Sequence, residues 1–208
     1  MAKRGPGLGV ATLNFIILYM THNKQSTQLV SWLATSVPGL TKITVHTNLL
    51  ILTVYPEFVK SAAILLRMHQ QLRFDLLSDI WATDYASNAT RFELNYLLLS
   101  LSNSLRVIVR TNLTDDEGVY SLGGVFKSAG WLEREVWDMF GVLFYGHPDL
   151  RRILTDYGFE GHPLRKDYPL SGFVEVRYDD GDKRIVYEPL EVAQEYRSYQ
   201  FKSPWSKA

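Results

Sequence analysis

Apolar residues first recur at helical spacing in 27–37, where Leu29, Val30, Leu33 and Val37 share one face. Pro38-Gly39 ends that helix. Two β-type runs follow, 42–46 and 49–55, on either side of Thr47-Asn48, and read as a hairpin. Pro56 suits a first helical position, and Val59, Ala63, Leu66 and Gln70 lie on one face of the helix it opens. The pattern then changes: 76–85, 91–101 and 105–111 read as three strands, joined by turn chemistry at Ser87-Asn88 and Ser102-Asn103-Ser104. The sum predicts the α+β class, a mainly antiparallel sheet with helices packed on it.

Thr114-Asp115-Asp116-Glu117-Gly118 reads as a polar loop. Leu132, Val136, Met139 and Phe140 then form an i, i+4, i+7, i+8 stripe, a short amphipathic helix stopped by Gly141. Beyond Gly141 the periodicity fades and Gly, Pro, His and Tyr become frequent. The tract is too aromatic, with too few charge blocks, to read as disorder. Such a segment cannot build its own layered core, so it is expected to lie on another protein, the alternative being a tail wrapped on its own domain. The expected organisation is an apolar N-terminal extension at 1–24, an α+β core domain at 25–141, and an extended irregular C-terminal tail at 142–208.

The extension carries Lys3 and Arg4 ahead of the apolar run Phe15-Ile16-Ile17-Leu18-Tyr19-Met20. No small-residue cleavage site follows, and the stretch is not rich in Arg and Ser, so neither a signal peptide nor a mitochondrial presequence is expected. The run is short for a membrane span, which needs about 20 mainly apolar residues. It reads as an element packed on the domain or on a partner.

Composition narrows the chemistry. Lys+Arg and Asp+Glu are both 22, so nothing calls for nucleic acid or an anionic membrane surface. There is no cysteine among the 208 residues. Cysteine-ligated iron–sulfur clusters, zinc–thiolate sites, thiol nucleophiles and disulfides are thereby excluded within this sequence. GxGxxG, GxxxxGK[ST] and GxSxG signatures are missing too.

Two constellations remain. In Trp131-Leu132-Glu133-Arg134-Glu135-Val136-Trp137-Asp138-Met139-Phe140-Gly141, Glu135 and Asp138 share a helical face and Glu133 lies well round from both. Arg134 and Asp138 are four apart and can pair directly, and the run reads as a charged face that pairs with itself or with a partner. The second is a near-repeat, Gly146-His147-Pro148-Asp149-Leu150-Arg151-Arg152 and Gly161-His162-Pro163-Leu164-Arg165-Lys166-Asp167. A His before Pro is pushed out of the α region, so each Gly-His-Pro reads as a rigid turn whose His bonds backbone or carboxylate. A metal or acid–base site would need His147, His162, Asp149 and Asp167 to converge, and no HxxxH pairing supports that. Arg suits planar pairing with carboxylates. Glu133, Arg134, Glu135, Asp138, His147, Arg151, Arg152, His162, Arg165, Lys166 and Asp167 are therefore expected at a partner interface, with no catalytic, cofactor-binding or metal residue.

The same residues resemble a known family. Glu133 to Gly141, then Phe144 and the run His147-Pro148-Asp149-Leu150-Arg151-Arg152-Ile153-Leu154, are similar to the signature of the 30-kDa subunit of respiratory complex I, NADH:ubiquinone oxidoreductase. The bacterial C-type subunit and organelle-encoded subunit 9 belong to that family. Asp156 to Leu170, Tyr187-Glu188-Pro189-Leu190, Glu195-Tyr196-Arg197 and Ser203-Pro204-Trp205 continue the resemblance; the strands at 79–85 and 93–100 match more loosely. The loop at Leu122-Gly123-Gly124 differs from the family pattern. The resemblance implies a non-redox scaffold in the peripheral arm near the quinone module, its tail wrapping the 49-kDa-type subunit. It implies that FMN, iron–sulfur clusters and ubiquinone sit on other subunits. It places the chain at the mitochondrial inner membrane on the matrix side, or at the bacterial inner membrane on the cytoplasmic side. A generic adaptor unrelated to respiration would share the interface chemistry but not the ordered motifs.

Overall fold

A computed structural model describes residues 24–46, 49–70, 72–192, 194, 196–197 and 205. The apolar run at 15–20 and the Thr47-Asn48 turn lie outside the described residues. The chain forms two compact units, the first ending at Tyr168 and the second starting at Pro169.

The first unit opens with helix α1, Lys24–Ser36, whose Val30 and Leu33 are buried. Strands β1 (Leu40–His46) and β2 (Leu49–Val54) pair antiparallel, as expected for a hairpin. A single 3-10 turn at Pro56–Phe58 leads into helix α2, Val59–Met68, which turns Val59, Ala62, Ala63 and Leu66 inward. Each buried aliphatic side chain of Val or Leu size is worth about 1.5–3 kcal/mol of transfer free energy. Strands β3 (Leu76–Asp84), β4 (Phe92–Ser100) and β5 (Leu105–Leu113) form an antiparallel meander. The five strands lie in the order β1-β2-β5-β4-β3, with β2 and β5 parallel.

One face of this sheet carries the core. Period-2 alternation places Phe92, Leu94, Tyr96 and Leu98 of β4 beside Val107, Val109 and Leu113 of β5, all nearly inaccessible. They join the helical side chains in one apolar cluster. The other face is more polar: Arg110 pairs with Glu93 at 3.2 Å and donates to Asn95 Oδ1 at 2.9 Å. Burial is thus heavier on one side of a mainly antiparallel sheet, and this matches the α+β expectation.

After β5 the chain makes a short strand β6 (Gly118–Tyr120), then helix α3 (Ala129–Phe140) and strand β7 (Leu143–Tyr145), which pairs parallel with β6. Gly141 caps α3 in the left-handed region at φ 78°, its N–H donating to Trp137 O at 2.8 Å. A Cβ there would lie 2.6 Å from the His162 ring and 2.7 Å from Arg165 Nη2, so the glycine lets the later chain close over the helix end.

The second unit contains strands β8 (Val174–Asp179) and β9 (Arg184–Pro189), an antiparallel hairpin. The fading periodicity beyond Gly141 gives no expectation of it. The alternation Val174-Glu175-Val176-Arg177-Tyr178 and the Asp180-Gly181 turn signal are nonetheless present in the sequence. Among the described residues, no helix is long and apolar enough to cross a membrane.

Candidate functional site

Helix α3 is the centre of the site. Its inward residues include two carboxylates, Glu133 and Asp138, both with no exposed surface. A helix that buries charge must bring partners for it. The two ends of α3 solve this in different ways.

Asp138 is saturated by the chain that follows the helix. Its Oδ2 accepts the N–H groups of Ile153, Leu154 and Thr155 at 3.0, 2.8 and 3.0 Å. Its Oδ1 accepts Thr155 Oγ1 at 2.7 Å and Arg152 Nη1 at 2.8 Å. Three successive amides aimed at one oxygen make an anion nest. Burial works to raise the Asp138 pKa, but the bonds from Thr155, Leu154 and Ile153 outweigh it and hold the group well below the usual carboxylate range. Arg152 also donates to Gly161 O at 2.9 Å and lies over the Trp137 and Phe159 rings at 5.6 and 5.7 Å.

The pairing open to Arg134 and Asp138 by their spacing is not formed. Asp138 is on the buried side of α3, where later residues supply five donors. Arg134 instead donates to the Arg151 and Arg152 carbonyls at 2.9 and 3.0 Å. The expected charged helix face is likewise corrected. Glu133 and Asp138 are interior, and Glu135 alone of the three carboxylates is exposed.

Glu133 anchors the loop before the helix. Its Oε2 accepts Ser121 Oγ at 2.6 Å and its Oε1 accepts the Leu122 N–H at 2.7 Å. Burial raises its pKa, and the two hydrogen bonds only partly offset this. The Leu122-Gly123-Gly124 loop, singled out in the sequence as different, is thus pinned at its first residue.

Both Gly-His-Pro turns clamp α3. His147 Nδ1 accepts the Asp149 N–H at 3.1 Å, which leaves the ring proton on Nε2, 3.1 Å from Gly130 O. His162 Nδ1 donates to Asp138 O at 2.9 Å. Gly130 and Asp138 are eight residues apart, about 12 Å along the helix, so the two imidazoles do not converge. Asp149 pairs with Arg151 at 2.8 Å, and Asp167 with Arg91 at 2.6 Å. The four residues an acid–base site would need are thus dispersed, and no group of three or more His, Cys, Asp or Glu placed to hold a metal occurs among the described residues.

A second carboxylate network completes the closure. Asp84, at the end of β3, takes a fork from Arg91, both contacts at 2.9 Å, and accepts the Lys166 N–H at 2.8 Å. The Arg91 guanidinium holds the Asp84 carboxyl below its ordinary range. The bonds to Asp84 and Asp167 raise the Arg91 pKa in turn. Arg165 donates to Phe140 O at 2.6 Å and reaches Asp115 at 3.0 Å. Asp84, Arg91, Asp115 and Ser121 are partners that the sequence reading does not single out. Their contacts span as many as 82 positions, and no local pattern reports such a separation.

Of the eleven residues expected at a partner interface, the structure thus gives nine internal partners through their side chains: Glu133, Arg134, Asp138, His147, Arg151, Arg152, His162, Arg165 and Asp167. Glu135, Arg151, Lys166 and Asp167 are exposed. Chemically the arrangement is a latch. It fastens 146–168 to the sheet and helices, and Asp138, with its oxygens taken up by five donors, is committed to that task.

The fold is shared with a trypsin-resistant fragment of Nqo5, at TM-score 0.50 and 28% identity, covering 62% of this chain and all of that one. It is shared too with a chain of the membrane-bound sulfane sulfur reductase, an archaeal respiratory membrane complex, at TM-score 0.58 and 24% identity, over 71% of this chain and 87% of that one. Sheet and helices therefore define an α+β module of the Nqo5 type. Residues 52–174 match the family described as respiratory-chain NADH dehydrogenase, 30 Kd subunit. Among similar sequences, NADH-ubiquinone oxidoreductase subunit 9 of Prototheca wickerhamii is 52% identical, over 78% of this chain and 84% of its own. NADH dehydrogenase (ubiquinone) iron-sulfur protein 3 of Beta trigyna is 57% identical over 68% and 74%. The corresponding protein of Arabidopsis thaliana is 57% identical over 68% and 75%. The chain belongs to the family of the 30 Kd subunit of respiratory-chain NADH dehydrogenase, and the resemblance read from its motifs is borne out.

Proposed function

We propose that this chain is a non-redox structural subunit of the peripheral arm of proton-pumping NADH:ubiquinone oxidoreductase, seated beside the quinone module. In this role it supports electron transfer from NADH to ubiquinone without carrying electrons. FMN, iron–sulfur clusters and ubiquinone are held by other subunits, in keeping with a sequence that has no thiolate to offer. Its main partner is the 49-kDa-type subunit. Its place is the matrix side of the mitochondrial inner membrane, or the cytoplasmic side of the bacterial one, reached through the complex.

The observation that carries the partner reading is the hairpin of the second unit. Its register puts Val174, Val176, Tyr178, Ile185 and Tyr187 on one face, each 53–61% exposed. The opposite face is charged, with Arg177 bonded to Glu188 at 2.5 Å. An isolated two-stranded hairpin is marginal in water, and an exposed apolar face of this size marks a contact surface. In the first unit, the exposed Glu135, Arg151, Lys166 and Asp167 are offered as contacts of their own.

Affinity purification of the chain from native membranes in mild detergent tests this, with sizing, subunit identification and an assay of NADH-to-quinone transfer. Recovery in a very large complex with inhibitor-sensitive activity is the expected result. Recovery as a small species without respiratory partners overturns the proposal.

A further inference from the structure

The β6–β7 pair presents a second apolar surface, in the first unit and separate from the latch. Its inward residues Val119 and Phe144 are buried. Its outward residues are Tyr120, Leu143 and Tyr145, 52%, 45% and 47% exposed. The two tyrosine rings meet edge to face at 5.9 Å. Gly118 completes this face opposite Leu143. A Cβ there would lie 2.6 Å from Leu143 O and 2.9 Å from Tyr145 Cε2, so glycine lets the strands and the aromatic ring lie close. Exposed, mutually supported tyrosines on a rigid ladder have the character of interface anchors.

The surroundings are acidic. Asp116 and Glu117 immediately precede β6, and both are exposed. The 3-10 turn carrying exposed Glu57 packs against β6. Lys60 is the nearest cation along the chain from Glu57, and its charge acts on the buried Glu133. This charge selects the occupant. A surface of anionic lipid is repelled, because peripheral membrane binding uses basic clusters. A second copy docking here through a two-fold axis would bring the same carboxylates together. A cationic side chain finds both the carboxylates and the faces of two tyrosines.

We propose that this face receives a segment of a neighbouring subunit in which an Arg or Lys flanks an apolar anchor, the anchor seated on Tyr120, Leu143 and Tyr145 and the cation directed to Glu57, Asp116 and Glu117. The inference rests on the subunit reading above and adds a contact made by neither the latch nor the hairpin.

The test replaces Tyr145 by the photo-cross-linking residue p-benzoylphenylalanine in the full chain, incorporated into its native membrane complex and irradiated there. The expected product is an adduct with another subunit whose joined peptide carries Lys or Arg within a few residues of the attachment. Combining the probe with Glu57→Lys and Glu117→Lys should lower that adduct about five-fold or more, through like-charge opposition at the rim. An adduct with lipid, with a second copy or with this chain alone overturns the proposal, as does a joined peptide without a cation. Those results leave the subunit reading standing, because the chain is still found in the complex. Absence of the chain from the complex, with or without the probe, overturns both.

Discussion

The segment 146–168 and the β8–β9 hairpin invert the usual link between regular structure and burial. The first has no helix or strand, yet it is tied to the sheet and helices through Asp138, Asp84 and the two Gly-His-Pro turns. The second is regular and correctly paired, yet its apolar face is exposed. Order in this chain thus comes from where the polar groups of the backbone find partners. In 146–168 buried carboxylates take the place of a ladder. In the hairpin the ladder is satisfied internally, and the side chains are left to find a surface elsewhere.

The contrast is most vulnerable at Asp138. Replacing it with Ala strands Arg152 and three amides and should cost about 3–5 kcal/mol, the scale for removing one partner of a buried pair. Thermal unfolding of the isolated chain, followed by circular dichroism, should show a fall of about 10 °C. A loss below about 1 kcal/mol would mean that the latch contributes little and that 146–168 resembles the hairpin after all. Gly141→Ala is expected to cost at least about 1–2 kcal/mol, because a side chain is forced into the left-handed region and against His162. Urea unfolding measures it, and an unchanged midpoint would show that the turn relaxes without penalty.

The two buried carboxylates of α3 refine the picture through pH. The Asp138 pKa is lowered on folding, so its stabilisation is present above its unfolded value of about 3.9 and is lost as pH falls below it. The Glu133 pKa is raised, so its contribution is fullest below about 4.3 and is lost as pH rises through the folded value. As pH rises from about 4.3 through the folded value, the stability of Glu133→Gln relative to the parent should therefore improve. The disadvantage of Asp138→Asn should instead be full above about pH 4 and shrink as pH falls below it, the opposite trend with rising pH. Parallel rather than opposed trends in chemical denaturation would contradict these assignments.

The smallest effect is expected in the hairpin. Val176→Ser with Ile185→Ser should change the stability of the isolated chain by no more than about 0.5 kcal/mol, as for exposed positions generally. Its signature is reduced recovery of the chain in the large complex. Normal recovery would remove the main support for the hairpin as a docking element.

Much of the fold is legible in the sequence because it is written in local periods. Helix α1, the β1–β2 pair, the β3–β4–β5 meander and the α3 stripe each declare themselves within a dozen residues or so. The β8–β9 alternation is written in the same way but is obscured by the Gly, Pro and aromatic residues around it. The motif around Glu133-Arg134-Glu135 and the two Gly-His-Pro turns identify the family, yet helical spacing alone puts their charges on a surface. Such spacing shows which residues share a face and does not say which face is buried. An i, i+4 pair such as Arg134 and Asp138 is only one option, and Asp138 is bonded instead to residues 14–17 positions further on.

From the sequence come the α+β class, the order of most elements, the family, and the exclusion of cysteine-based redox chemistry. These follow from short-range periodicity, from an ordered series of motifs and from the absence of a residue type. The parallel junction of β2 with β5, the burial of Glu133 and Asp138, and the partners of Arg91, Arg152 and Arg165 emerge only in three dimensions. A buried charge must be met by whatever donors the folded chain brings within about 3 Å of it. That set of neighbours exists only once distant segments have been packed together.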